Sequence, residues 1–512
     1  MAYKDLRGFL ELLEKEKQLV RIKDEVMPEP DLSAIGRCAP NMESAPAVLV
    51  ENIKGYKNPV VLNVHGSWQN HALMLNMPKA TPVKDQFFRL KELWDKYPIK
   101  PVWVDKKDAP VKEVVIEEDI NLFDVLPLFR INEFDAGFYL SKALIVSRDP
   151  NKPESYEEQN CGTYRIQIKG KDKVAIQPLP FHDIAVHLKN AEEKNERLPI
   201  AICLGNDPVL SFMASTPIAY VQSEYDFAGA LKGEPIELTK AEESNLDIPA
   251  RSEIILEGYI EPRVREIEGP FGEFPGSYSG SRLQPIVKIT KITHRKNPIF
   301  ENLYLGMPWT EIDYLMALNT SIPLYDQIKR DFPEVEAVNA MYTHGMAAIV
   351  STKSRFGGYG KAVAMRLLST PHGMSYTKIV IIVDEFVDPF NLEQVMWALT
   401  TRVRPDKDVF KIPYAPGMPL DPSSEPVGMH TKLVIDATTP VAPDFGRDTE
   451  LLGTPIGVEK WSEILRDLVK EDQLIIVKLI FKKIVFGKRV WQTNRFKTRT
   501  VTEIGIKLSD FV

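Results

Sequence analysis

Residues 265–280, REIEGPFGEFPGSYSG, set Glu268 and Glu273 five positions apart in a stretch rich in glycine and proline. Two neighbouring carboxyl groups can divide acid and base duties, one ionised and one protonated. The spacing alone does not bring them together. On a helix it leaves the side chains roughly 140° apart, and on a strand it sends them to opposite faces. Convergence requires a sharp turn, which Gly269, Pro270 and Gly272 permit. An isolated loop glutamate is otherwise a solvated charge.

A second group of candidates lies upstream. Asn160 and Arg165 stand in NCGTYRIQI, His182 in PLPFHDIAVHL and Glu224 in QSEYDFAGAL. Asn, His and Glu together offer a carbonyl oxygen, an imidazole and a carboxylate. That set suits Mn2+ or Mg2+ better than zinc, above all where phosphate completes the sphere. From the residues alone plainer readings stay open: His182 opens a helical pattern and would cap it, and Glu224 would be a surface charge. No GxSxG, HExxH, CxxC, Walker lysine loop or Rossmann GxGxxG is present, and FGGYGK (356–361) lacks phosphate-loop spacing.

The elements that must position these groups change in kind along the chain. The N-terminal stretch spaces Leu6, Phe9, Leu10 and Leu13 with the period of an amphipathic helix, unlike the unbroken apolar core of a signal peptide. Residues 1–111 alternate short apolar runs with helical patterns and read as a small α/β domain. Residues 112–310 carry short, β-branched, turn-bounded segments such as KALIVSRD, LPIAICLG and SEIILEGYIE, which suggest a barrel or sandwich. Within them RIQIKGKDKVAIQ reads as a hairpin turning at Gly170 to Asp172. From 311 to 468 strand, helix and strand alternate (GMAAIVST, KAVAMRLLST, TKIVIIVDE, TKLVIDAT), which predicts a mostly parallel sheet. Asn391 and Gln394 fit a capping box there. Residues 469–512 form a basic tail, with ten Lys/Arg against four Asp/Glu from Lys470 onward.

Length and composition bound the function. The 512 residues predict two or three domains, and 44% hydrophobic with 26% charged residues is ordinary for a globular protein. A net charge of −7 argues against nucleic acid or an anionic membrane as main partner. The most apolar run, from Leu474, is short and broken by lysines, so no membrane span is expected. Three scattered cysteines, Cys38, Cys161 and Cys203, fit a reducing, cytoplasmic compartment rather than a disulfide framework.

Taken together, NCGTYR, PFHDIAVH, SEYDFAGAL, EGPFGEFPG and TKLVIDATTPVAP resemble the signature stretches of the UbiD-type decarboxylases, over roughly residues 1 to 468. LYLGMPWTEIDYL, VNAMYTHG and DPFNLEQVMWAL bring the likeness closest to the large (C) subunit of non-oxidative hydroxyarylic acid decarboxylases, which act on 4-hydroxybenzoate- or vanillate-like acids. The resemblance implies a mixed α+β chain: an N-terminal α/β domain, a central split β-barrel that binds prenylated FMN, and a C-terminal α/β domain through which homo-oligomers assemble. It implies that Asn160, His182 and Glu224 tie Mn2+, with Mg2+ as the alternative, to the cofactor phosphate, with K+ nearby. Thr163, Tyr164, Arg165, Gln177, Pro178, Leu179 and Lys432 fall on cofactor-contacting positions, alongside the three metal ligands. Arg165, Glu268 and Glu273 match the family's catalytic network, with Glu273 as proton donor and Glu268 ionised beside Arg165.

Loss of CO2 from an aromatic ring leaves a carbanion with nowhere to delocalise, so a cofactor must be the electron sink. The implied reaction is reversible decarboxylation of 4-hydroxybenzoate-type acids to phenols. Alternatives are a quinone-pathway decarboxylase of polyprenylated hydroxybenzoates, which demands a longer and greasier pocket, and a non-catalytic flavin-binding subunit. The family further implies a flavin prenyltransferase as cofactor supplier and a small accessory subunit. Met307 and Trp309 suit the wall of a pocket for a planar acid, and are equally at home in a core.

Overall fold

The computed structural model describes residues 3–442 and 451–469. The chain forms two compact units, Met1–Gly446 and Arg447–Val512. In the second, the described residues carry a helix over 458–469. The apolar run from Leu474 and all but the first residue of the basic tail lie outside the described residues.

The first unit begins with the expected amphipathic helix, Leu6–Lys15, capped by the Asp5 side chain, which accepts from Gly8 N. Leu6, Phe9, Leu10 and Leu13 are all buried, each contributing roughly 1.5–3 kcal/mol by removal from water. A four-stranded sheet follows, ordered Leu19–Ile22, Ala47–Val50, Val60–Leu62 and Phe300–Glu301. Its last strand is lent by a segment some 240 residues downstream of the third, so the central segment completes the N-terminal sheet.

The strand-rich region is rich in strands as expected, but among the described residues they join in one large antiparallel sheet of nine strands with no closed barrel. The path runs open from Tyr139–Leu140 to Gln159–Thr163, through the long hairpin of Ile254–Glu268 and Arg282–His294. Register shifts at Glu257/Gly258 and Ile260/Arg265 bend that hairpin. Ile166–Ile168 and Lys173–Ile176 pair antiparallel, as the 170–172 turn requires.

The C-terminal segment departs from expectation at its edges. Ala347–Thr352, Ile379–Asp384 and Met429–Ala437 form a parallel centre. Val335–Tyr342 and Val409–Pro416 flank it antiparallel, so the sheet is mixed. Val335–Tyr342 reaches its neighbour through the short 343–346 turn, which excludes the helical crossover a parallel pairing needs, and the 417–428 loop, which carries no helix, returns Val409–Pro416 antiparallel to Met429–Ala437. Asn391 caps helix Leu392–Arg402 by accepting from Glu393 N and Gln394 N, but the Gln394 side chain accepts from Asp388 N instead of closing a capping box.

One continuous apolar core runs from Tyr3 to Val434. A charged cluster is sealed within the same unit: the Lys142 ammonium lies 2.6 Å from Glu301 and also bonds Glu311, all three about 1% exposed. Glu311 additionally accepts from the amides of Asn63 and His65 at 2.8 and 3.0 Å. The cluster therefore pins three distant segments to one another.

Candidate active site

Strand Ile254–Glu268 ends at a glycine in the left-handed region, Gly269 at φ +86°. A Cβ there would lie 2.8 Å from the Gly280 carbonyl, so no other residue fits without displacing backbone. At Gly272 an added Cβ would fall 2.3 Å from the Asn132 amide. The chain then closes through Glu273 N to Ser277 O at 3.0 Å and Ser279 N to Phe271 O at 2.8 Å. This turn is what brings two glutamates five residues apart onto one guanidinium.

Arg165, between strands Gln159–Thr163 and Ile166–Ile168, is that guanidinium. Its Nη2 donates to Glu268 Oε2 at 2.6 Å, and its Nη1 donates to Glu273 Oε1 and, at 2.9 Å, to Ser279 Oγ. Arg165 Nε is buried and has no hydrogen-bond partner among the described residues. Glu268 Oε1 accepts from the Tyr139 hydroxyl at 3.1 Å. Burial pushes the Glu273 carboxyl above its ordinary range and Glu268 adds to this, outweighing the opposing pull of Arg165. Burial pulls the guanidinium down, yet Glu273 and Glu268 hold it above its ordinary value.

Arg165 and Glu273 line a cavity of about 280 Å³, near the lower end, ~300 Å³, of small-molecule sites. Asn160, Thr163, Tyr164, Gln177, Leu179, His182 and Glu224 line it too. Glu268 does not; it stands behind Arg165. Neither Pro178 nor Lys432 is among the lining residues. The Lys432 ammonium instead donates to the carbonyls of Met374 and Thr377 at 2.8 and 2.6 Å, satisfying the end of helix Pro371–Ser375. Burial pushes it down to about 8.

Met307 and Trp309 do not form the predicted substrate wall. Met307 is 62% exposed, and Trp309 packs against Trp68, Tyr314 and Tyr342. Leu305, Ile312 and Met316 supply apolar wall nearby.

Asn160 and Glu224 meet directly, Asn160 Nδ2 donating to Glu224 Oε1 at 3.1 Å, while the Tyr164 hydroxyl donates to Asn160 Oδ1 at 2.8 Å. His182 packs edge-on against Tyr164 with ring centroids 5.3 Å apart, and its Nδ1 accepts from Leu179 N at 3.2 Å. It does not cap helix Asp183–Lys194 through its side chain. Burial pushes His182 down to about 4, with His344 adding to the shift, so the ring is neutral at pH 7. Burial pushes Glu224 up to about 8. A buried acid held that high, lining one cavity with an amide oxygen and a neutral imidazole, belongs to a donor set that would suit a divalent cation. The other convergent group, His65, Glu301 and Glu311, already has the Lys142 ammonium as counter-charge.

The C-terminal segment adds residues that the motifs did not single out: His344, His372 and Tyr376 also line the cavity. Thr343, His344 and Gly345 take three successive left-handed conformations, φ 48°, 54° and 78°. The only sequence signal was the THG turn inside VNAMYTHG.

Comparison with known proteins supplies the context. Residues 10–90, 102–308 and 313–437 match the N-terminal, Rift-related and C-terminal domains of 3-octaprenyl-4-hydroxybenzoate carboxy-lyase, UbiD. A phenolic acid decarboxylase of Sedimentibacter hydroxybenzoicus is 64% identical over 473 residues, covering 92% of this chain and 98% of that protein. The vanillic acid decarboxylase ShVdcCD of that organism, solved in closed form, matches with a TM-score of 0.87 at 64% identity, over 92% of this chain and 100% of that one. An evolved dimeric form of the UbiD-class enzyme HmfF from Pelotomaculum thermopropionicum, solved with prFMN, matches with a TM-score of 0.76 at 29% identity, over 89% of this chain and 98% of that one. With all three domain matches in order and that identity across nearly its whole length, this chain belongs to the UbiD family.

Proposed function

We propose that this protein catalyses the reversible, non-oxidative decarboxylation of 4-hydroxybenzoate-type acids to phenols and CO2, with prenylated FMN as cofactor. The observation that carries the reading is Arg165 bridging Glu268 and Glu273 at the wall of a cavity that also gathers Asn160, His182 and Glu224. The 64% identical phenolic acid decarboxylase favours this substrate class over the polyprenylated acids of the quinone pathway.

When bound, the prenylated flavin supplies the electron sink that an aryl carbanion lacks. The chain's own groups do the rest. With both Nη atoms of Arg165 engaged by glutamates, its buried Nε–H is left to meet a substrate carboxylate oxygen. Glu273, whose hold on a proton burial strengthens, delivers that proton to the ring carbon as the bond to CO2 is lost, so that carboxylate plus proton gives phenol plus CO2. His344 and Tyr376 are polar cavity groups available to a ring hydroxyl. Asn160, His182 and Glu224 would hold Mn2+ or Mg2+ against the cofactor phosphate, with K+ nearby. Thr163, Tyr164, Gln177 and Leu179 would line the flavin.

The reading includes a central flavin-binding split β-barrel over 112–310, between an N-terminal α/β domain (1–111) and a C-terminal α/β domain (311–468), followed by the tail 469–512. The nine-stranded sheet, eight strands of which follow one path, and the three family matches support it. Partners under this reading are further copies of the chain, a flavin prenyltransferase and a small accessory subunit, in the cytoplasm. The free state of Cys38, Cys161 and Cys203 is compatible with that compartment.

Protein loaded with prenylated FMN and Mn2+ and given 4-hydroxybenzoate should release phenol and CO2 in equal amounts. Bound flavin without phenol would favour the non-catalytic subunit, and turnover of a prenylated acid alone would favour the quinone pathway. His182→Ala should strip both metal and flavin; unchanged manganese by elemental analysis would count against the metal assignment.

A further inference from the structure

We propose that Tyr139 is a positioning residue that decides which of the two glutamates on Arg165 carries the proton, keeping it on Glu273 by donating a hydrogen bond to Glu268. The inference rests on the decarboxylase reading above and deepens it. Arg165 by itself distinguishes the two carboxylates poorly, since each receives one Nη donor. The asymmetry comes from Tyr139. Its hydroxyl is 3.1 Å from Glu268 Oε1, with the Pro270 carbonyl farther off at 3.4 Å, so both Glu268 oxygens accept a hydrogen bond from side chains. A donor aimed at a carboxylate favours its ionised form. Beyond Arg165, Glu273 accepts from the Phe274 amide but from no phenol among the described residues, and it faces the cavity where a ring carbon would need the proton.

Several features make Tyr139 a fixed donor. It is fully buried, its ring lies 4.3 Å from that of Phe271, and its carbonyl accepts from Asn302 Nδ2 at 3.1 Å. Strand pairing sets Tyr139 opposite Gln167, two residues from Arg165. Burial and the Glu268 carboxylate push the phenol far above its ordinary range, so it keeps its proton. The other charged or titratable groups facing the pair are Asp135 and Tyr376, both within electrostatic reach of Glu273. Asp135 is itself pinned by the amides of Asn132 and Gly272. Arg282, opposite Glu268 in the strand register, makes no ion pair among the described residues. Tyr139 is thus the hydroxyl donor that reaches Glu268 without entering the cavity.

The test pairs an infrared measurement with kinetics. In cofactor-free protein near neutral pH, the protonated-carboxyl band should lose intensity in Glu273→Gln and keep it in Glu268→Gln. In a Tyr139→Phe background, Glu268→Gln should now also remove intensity. Loaded with prenylated FMN, Tyr139→Phe should lower kcat on 4-hydroxybenzoate about tenfold, the scale of one hydrogen bond to a charged group. The acid limb of its kcat–pH profile should move to higher pH, with flavin content unchanged. A purely packing role would leave the limb in place. Incorporating 3-fluorotyrosine at position 139, a stronger donor of the same shape, should shift the limb the opposite way, and serves if the Phe variant does not fold. An unchanged carboxyl assignment and an unmoved limb in an enzyme that makes phenol would overturn the role of Tyr139 alone. Absence of phenol from the loaded wild type would instead overturn the decarboxylase reading, while the infrared arm still decides the proton's location.

Discussion

Two triads among the described residues share one charge pattern with every member buried. Arg165 bridges Glu268 and Glu273, and Lys142 bridges Glu301 and Glu311, each a buried cation between two carboxylates. In each triad one acid accepts hydrogen bonds from donors beyond the cation: Glu268 from the Tyr139 hydroxyl, Glu311 from the backbone. Glu311 has two backbone amides, and although burial pushes it up, Lys142 and His65 bring it down to about 2. The other acid, Glu301 or Glu273, is pushed up by burial. The difference lies in access and in the cation. The lysine triad is sealed and joins segments; the arginine triad opens onto the cavity. A guanidinium can hold two carboxylates and still present Nε, which an ammonium with three donors does less well. Buried ion triads are therefore no sign of chemistry by themselves.

The same lesion in both triads should separate their roles most sharply. Arg165→Met and Lys142→Met each leave two buried carboxylates without their cation, at a cost of about 3–5 kcal/mol, read from denaturant melts. Arg165→Met should also end phenol formation, whereas any folded fraction of Lys142→Met should remain active. Equal loss of specific activity in both would merge the two regions into one functional unit.

A second effect concerns Glu224, an acid in the cavity wall. Glu224, at about 8 when folded against 4.5 ordinarily, contributes stability below pH 4.5 that is lost as pH rises through 8. Relative to wild type, metal-free Glu224→Gln should gain stability over that window, at roughly 1.4 kcal/mol for each tenfold difference in proton affinity between folded and unfolded chain. Mn2+ should raise the wild-type Tm but not the variant's. A Tm difference that ignores pH would refute burial as the cause. The smallest effect is expected at the sealed triad's raised acid. Glu301→Gln keeps the Lys142–Glu311 pair and should cost roughly 1 kcal/mol, with phenol formation intact; a large activity loss would make that triad more than structural.

Much of the site was legible because its signals are local. The glycines around Glu268 and Glu273 announced a turn, and resemblance attached Arg165 to them. What was missed depends on register or on distance in the chain. Tyr139 reaches Glu268 only through strand pairing with the 166–168 segment. No motif marks Lys142, Glu301 and Glu311, which meet only when distant segments fold together. Trp309 went to an aromatic cluster with Trp68, which no local pattern specifies. The C-terminal sheet was read as mostly parallel because its helices pointed that way, while both antiparallel edges are set by connections that carry no helix.

The proposed chemistry stands on Glu273 as the proton donor. The decisive comparison is phenol release from 4-hydroxybenzoate by wild type and Glu273→Gln, both loaded with prenylated FMN and matched for bound flavin. Wild type should release phenol steadily and the variant at least about a hundredfold less, the scale of a lost general acid. Equal rates at equal flavin content would contradict that role.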